Sequence, residues 1–140
     1  MTFHHFRLPH PDWAEARQIR QVVFVEEQAC PPEEEWDAFD ETAEHVLLRI
    51  DGETAGTARW RAVETADGPV AKLERFALLQ PFRGRGLSRP LIRAVSERAS
   101  DAGYPDQKLH AQAHLEALYT SLGFTRTGNL FDEAGIPHVT

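Results

Sequence analysis

The residue pattern predicts a mixed α/β (α+β) fold: a central, mostly antiparallel sheet with one parallel strand pair, flanked by helices. Three observations carry this. Three β-rich runs follow one another from His45 to Leu79, broken at Asp51-Gly52 and at Thr65-Ala66-Asp67-Gly68-Pro69, where glycine and proline punctuate hairpins. The period then turns helical, with Leu87, Leu91, Val95, Ala99 and Ala102 on one stripe. A further strand run starts at Lys108, and a strand, a crossover helix and a strand make a parallel pair.

Taken in order, Pro11-Asp12-Trp13 opens a helix in which Trp13, Ala16, Ile19 and Val22 or Val23 recur at helical spacing. Cys30-Pro31-Pro32 must end it, because proline lacks a donor and fixes the backbone. An acidic loop follows. His45–Ile50 and Thr54–Val63 are the arms of a hairpin, and Val70–Leu79 is a third strand. The helix after Gly86 stops at Gly103, a residue suited to the left-handed C-terminal position. Lys108–Ala113 is a short strand, Leu115–Leu122 a short helix closed by Gly123, and Phe124 onward one strand or two.

The chain of 140 residues, 41% apolar and 26% charged, suits one globular domain spanning 1–140. One cysteine, Cys30, cannot form an internal disulfide, and the N-terminal residues lack the basic and apolar regions of a signal peptide. No apolar run approaches the length of a membrane span. A cytoplasmic protein, monomeric or a homodimer, with no membrane partner is expected. The net charge of −7 argues against nucleic-acid binding, which needs a basic face. That charge is unevenly placed. No Lys or Arg occurs from Gln21 to Leu48, where nine acidic residues fall, whereas Arg83, Arg85, Arg89, Arg93 and Arg98 share their stretch only with Glu97. One segment could welcome a cation and the other a polyanion, although most of these charges are expected to be solvated surface.

The chemistry points to Arg83-Gly84-Arg85-Gly86-Leu87-Ser88-Arg89, a glycine-rich turn between a strand and an amphipathic helix. Glycine lets the backbone approach a ligand, and the first helical turn offers unpaired N–H groups at the positive end of the dipole. Together with flanking arginines this is a pyrophosphate site.

Arg83-Gly84-Arg85-Gly86-Leu87-Ser88 resembles the acetyl-CoA signature of the GNAT superfamily of N-acetyltransferases, and Tyr119-Thr120-Ser121-Leu122-Gly123-Phe124 resembles that family's Tyr-x-x-x-Gly-Phe helix. Val23-Phe24-Val25-Glu26-Glu27-Gln28, Ala58-Arg59-Trp60-Arg61, Leu109–Ala113 and Gly135-Ile136-Pro137-His138 are similar to a small bacterial branch of predicted acetyltransferases. The resemblance implies a GNAT-like sheet, acetyl-CoA as co-substrate and direct transfer of its acetyl group to a primary amine of a small molecule or peptide. It implies that backbone groups of Phe76, Ala77 and Leu78 pair with the pantetheine arm, and that Arg83, Gly84, Arg85, Gly86, Leu87, Ser88 and Arg89 hold the pyrophosphate. Two residues depart from the pattern. Ser88 replaces a smaller Gly or Ala, and Pro90 is tolerated only within the first turn of a helix.

The same resemblance makes Tyr119 the proton donor to the departing sulfur, although a tyrosine at helical spacing with Leu115 and Leu122 also packs. A backbone N–H near Ala77 or Leu78 would hold the oxyanion. Glu74 and His110 are the two candidates for the base. Glu74 would need a carboxyl raised by burial; His110 titrates in a suitable range unaided and is favoured. His45, His114 and His138 have no metal-ligand spacing, so no metal is expected. Two other readings stand beside this one: an acyl-CoA-binding regulatory domain without catalysis, and an acyl-homoserine-lactone synthase-like enzyme.

Overall fold

A computed structural model describes residues 1–66, 68–110, 124–127 and 130–133. Seven strands form a single sheet: β1 (Thr2–Phe6), β2 (Glu44–Ile50), β3 (Glu53–Thr65), β4 (Gly68–Leu78), β5 (Gln107–His110), β6 (Phe124–Thr127) and β7 (Leu130–Glu133), in the order β1-β2-β3-β4-β5-β7-β6. Every neighbouring pair is antiparallel except β4–β5. The predicted fold class, with its one parallel pair, is the one observed.

Two helices cover opposite faces. Helix α1 (Trp13–Arg20) continues into a π-helical turn at Gln21–Glu27, and Ala16, Ile19 and Val23 pack with Phe6, Leu47 and Ala77. Val23, not Val22, is the buried one of that pair. After a four-residue helix α2 (Pro32–Glu35) and a 3-10 turn (Ala38–Glu41) the chain enters β2. The composition of this stretch predicts a loop; Pro31-Pro32 does end the first helix, but Pro32 then occupies the first position of α2, where its fixed φ favours a helix start.

Helix α3 (Ser88–Asp101) lies on the other face, where Leu91, Ile92, Val95 and Ala99 meet Val46, Leu48, Ala58, Trp60, Ala71, Leu73 and Leu109. Each such fully buried aliphatic side chain contributes about 1.5–3 kcal/mol. Its C-terminus closes as the glycine predicted. Gly103, at φ +101, donates its N–H to Ser100 and Tyr104 donates to Ala99, the double bond of a Schellman motif. Tyr104 then packs on Trp60.

Strand β1 has no counterpart in the sequence reading. Its five residues hold two histidines and only two phenylalanines, too short an alternation to signal a strand without its partner β2. The predicted short helix at Leu115–Leu122 and the strand residues Ala111–Ala113 lie outside the described residues.

Candidate functional site

Strand β4 leads through a 3-10 turn (Gln80–Phe82) into the glycine turn and α3. Gly84 and Gly86 both adopt left-handed φ, +76 and +73, and a Cβ built on either would meet no atom within 4 Å. The space above the turn is therefore open, and the backbone shape is one that side-chain-bearing residues reach only with strain. Leu87 caps α3 without a side-chain bond, and the Leu91 N–H is the donor to the Leu87 carbonyl. Pro90 thus precedes the first intrahelical donor, which settles how it fits: its missing N–H falls among those with no helical partner. The amides of Ser88 and Arg89 stand at the positive end of the helix.

Arg83 is tethered at both edges of its guanidinium. Nε donates to the Leu78 carbonyl at 2.9 Å, and Nη2 reaches Glu27 Oε1 at 2.5 Å. Glu27, at the end of the π-helical turn, thereby ties the α1 side of the molecule to the glycine turn. The guanidinium of Arg85 lies over the Phe82 ring, 5.2 Å from its centre.

Upstream, the parallel ladder of β4 with β5 joins Ala71 to Gln107 and Lys72 to Lys108. Among the described residues β4 has no further ladder pair with β5 from Leu73 to Leu78. Between Thr57↔Ala77 and Arg59↔Glu74 the β3–β4 register slips, so Ala58 faces two residues, Arg75 and Phe76. This bulge places Arg75 at φ +60 and re-aims the strand just before Phe76, Ala77 and Leu78, as bulges do. Ala77 is buried, and Phe76 and Leu78 are half-buried against the α3-side core. All three predicted pantetheine-pairing residues therefore lie in the stretch of β4 that, among the described residues, has no ladder pair with β5 and that ends in the glycine turn.

The acidic segment is only partly solvated surface: Glu26, Glu27, Glu33 and Glu41 are exposed, whereas Glu35, Asp37, Asp40 and Glu44 turn inward. Arg20 and Arg59, each 1% exposed, draw it inward. Arg20 binds Glu35 at 2.5 Å and Asp40 at 2.6 Å. Arg59 binds Asp37 with both Nη atoms at 2.9 Å, Asp40 at 2.7 Å, and Glu74 with Nε at 2.6 Å. Arg75 reaches Glu35 and Asp37, and Trp36 stacks between Arg17 and Arg20. Glu44 accepts from Trp60 Nε1 and from Arg98. Of the carboxylates from Glu26 to Glu44, five are thus engaged by arginines of the chain: Glu27, Glu35, Asp37, Asp40 and Glu44.

This arrangement corrects the pKa expected of Glu74. Burial does push its carboxyl up, but Arg59 and Arg61 outweigh that and hold it below the usual range; Lys72 is a further cation at 3.5 Å. A carboxylate kept ionised by three cations is a weak base. Position 110, the last of β5, is the register neighbour of position 74 when the parallel pairing of 71 with 107 and 72 with 108 is extended. Tyr119 lies outside the described residues, as do His114 and His138. His45 is buried between Phe6 and Trp13, and its Nε2 donates to the Asp40 carbonyl at 2.9 Å; burial lowers its pKa. Among the described residues no group of three His, Cys, Asp or Glu is placed to hold a metal, and no helix is long and apolar enough to cross a membrane.

Sequence reasoning missed Glu27, Gly56 and Arg59 as shapers of this site. Glu27 and Arg59 stand in stretches that carry the family resemblance, but their partners are 56 and 15 residues away. Gly56, opposite Leu78 in the β3–β4 ladder, gave no signal beyond being a glycine within a strand.

Comparison with known proteins agrees with this geometry. The model of the acetyltransferase (GNAT) domain matches residues 16–140. The Bacillus subtilis protein YyaT is 37% identical over 131 residues, which span 91% of this chain and 86% of that protein. YjcF of the same organism, named an N-acetyltransferase, is 33% identical over 126 residues, 89% of this chain and 87% of that protein. The fold superposes with a TM-score of 0.78, at 20% identity, on the crystal structure of a GNAT family acetyltransferase from Brucella melitensis in complex with acetyl-CoA, covering 99% of this chain and 92% of that one.

Proposed function

The chain belongs to the GNAT acetyltransferase family, and from that premise we propose that it transfers the acetyl group of acetyl-CoA directly to a primary amine of a small molecule or peptide, residues 1–140 acting as one domain. One observation carries the reading: β4, which among the described residues has no ladder pair with β5 from Leu73 to Leu78, ends in a turn whose two left-handed glycines have open space above them, beside the uncapped start of α3. Backbone N–H groups and a helix dipole at that place fit a pyrophosphate, and the β5-facing edge of Phe76, Ala77 and Leu78 fits an amide-bearing arm. The Brucella melitensis acetyltransferase that shares this fold is in complex with acetyl-CoA, which supports the reading.

In this reading Gly84 to Arg89 hold the pyrophosphate, with Arg83 and Arg85 adding positive charge. The thioester supplies an activated acyl group with a thiolate leaving group. A backbone N–H of Ala77 or Leu78 stabilises the oxyanion as the amine attacks. A C–N bond forms and the C–S bond breaks. Tyr119 gives its hydroxyl proton to the departing sulfur, and the proton shed by the amine passes to His110, directly or through water. Glu74 is an ion-pair partner of Arg59, Arg61 and Lys72.

Calorimetry with acetyl-CoA, followed by thiol release across a panel of primary amines, tests the assignment. Tyr119→Phe should bind acetyl-CoA as wild type does and lose turnover by about 10²-fold, the lower end for general acid catalysis, because a thiolate leaves tolerably without help. Normal turnover by a folded, saturated Tyr119→Phe protein would make Tyr119 a packing residue. Binding without turnover on any amine would favour a regulatory acyl-CoA-binding domain.

A further inference from the structure

The face of the sheet toward α1 carries an uneven charge balance. Among the described residues, five cations (Arg20, Arg59, Arg61, Lys72 and Arg75) meet four carboxylates (Glu35, Asp37, Asp40 and Glu74) in one connected network. Three of the four carboxylates lie inside. Glu35, Asp40 and Glu74 side chains are 3%, 8% and 9% exposed, whereas Arg61 and Lys72 are 16% and 22% exposed. Asp37, at 25%, is gripped by both Nη atoms of Arg59. Arg59 is matched by Asp37 and Asp40 besides Glu74, whereas among the described residues Arg61 and Lys72 share Glu74 as their carboxylate, and one carboxylate cannot neutralise both. The excess falls on the outer two.

These two cations are register partners on β3 and β4. Beside them Phe39, 47% exposed, presents its ring to Arg61, whose guanidinium stands 3.9 Å from the ring centre. A partly exposed cationic pair, 16% and 22% accessible, next to an aromatic face suits an anion borne on a partly apolar body. It does not suit the cationic acceptor that the acidic segment suggested.

We propose that Arg61 and Lys72, flanked by Phe39, bind an anionic group carried by the amine acceptor at a distance from its reacting nitrogen. The proposal rests on the transferase reading and names the acceptor class. Distance narrows it. From Lys72 to Ala77 is five residues of strand, at most about 16 Å at ~3.3 Å each, and Lys72 Nζ lies 3.5 Å from the carboxylate of Glu74, two residues on, which leaves about 10 Å to Ala77. A chain of about three residues spans that length. The acceptor is therefore peptide-like: a free amino group at one end and a carboxylate at the far end of a tripeptide-length body.

The test uses alanine, Ala-Ala and Ala-Ala-Ala, each beside its C-terminal amide, compared at equal concentrations of free amine. Thiol release with acetyl-CoA gives kcat/KM. Wild type should prefer acid to amide by about five- to tenfold at tripeptide length, as two partly exposed ion pairs allow, with little preference for alanine. Lys72→Gln and, separately, Arg61→Gln should each bring that ratio toward one. Having two variants covers the case in which Arg61→Gln, by releasing Glu74, disturbs folding. Equal turnover of acid and amide by wild type, or a ratio unmoved in both variants, overturns the proposal. Silence on acid and amide alike, and on every other amine, overturns instead the transferase reading on which it rests.

Discussion

A Cβ on Gly56 would stand 2.7 Å from the carbonyl oxygen of Ala77 and 2.8 Å from Leu78 Cδ2. No side-chain-bearing residue fits there unless β3 and β4 move apart, and the backbone of Ala77 has no flexible end to yield. The near neighbours belong to the residues of β4 whose opposite edge is assigned to the pantetheine arm, so a shift of that strand moves both edges. Gly56→Ala should therefore lower stability by about 1–3 kcal/mol, as overpacking does, and should weaken acetyl-CoA binding in the protein that still folds. Urea unfolding and calorimetry measure the two effects; unchanged affinity would show that this opposite edge of β4 does not contact the ligand.

Gly86 presents the opposite case, since nothing crowds its missing Cβ. Gly86→Ala should cost about 1–2 kcal/mol through its left-handed φ alone. Gly86→Val should add a bulk that projects into the open space and nearly abolish acetyl-CoA binding while the fold persists. Wild-type affinity in a folded Gly86→Val protein would remove the pyrophosphate from this turn.

Arg59 is the hub of the buried network, bonded to Asp37, Asp40 and Glu74. Burial works against its charge, but those carboxylates raise its pKa well above the ordinary value. Removing one partner of such a set leaves buried charges uncompensated, so Arg59→Met should cost about 3–5 kcal/mol in urea unfolding. Arg59→Lys should recover only part of this, because an ammonium cannot reproduce the forked contacts. Full stability in Arg59→Met would mean that the network adds nothing net.

Acid should unfold the protein in two stages. Burial holds the His45 pKa below its ordinary value of 6.5, and that of His5 likewise. The unfolded chain therefore takes up protons first, and the stability contributed by these neutral rings is complete above that value and declines as pH falls below it. Glu74 and Glu44 are held below 4.5 and Asp37 below 3.8; for each, burial pushes upward and arginine partners outweigh it. Their contribution is present above those ordinary values and is lost as pH falls through the lower, folded ones. Unfolding free energies at about pH 7, 5.5 and 4 should decline at both steps, and His45→Gln, which keeps a donor for the Asp40 carbonyl, should flatten the first. An unaltered first step in that variant would assign it to other groups.

What the chain makes legible locally came through. The turn at Arg83–Ser88 needs only its own glycines and the strand and helix on either side. The Gly103 stop needs only the last turn of α3. Glycine conformations and helix ends are set within a few residues, so sequence contains them. Strand β1 was not legible, because an edge strand of five residues owes its form to the ladder with β2.

The acidic segment marks the boundary. That the stretch from Gln21 to Leu48 is acidic, and that Glu74 lies in the strand before the glycine turn, is written in the sequence. That Glu35, Asp37 and Asp40 turn inward onto Arg20 and Arg59 was decided by tertiary structure, as was the sharing of Glu74 among Arg59, Arg61 and Lys72. The physical reason is range. A pKa depends on charges within a few ångströms, and those charges come from α1, β3 and β4, brought together by strand register and by helix packing rather than by order along the chain.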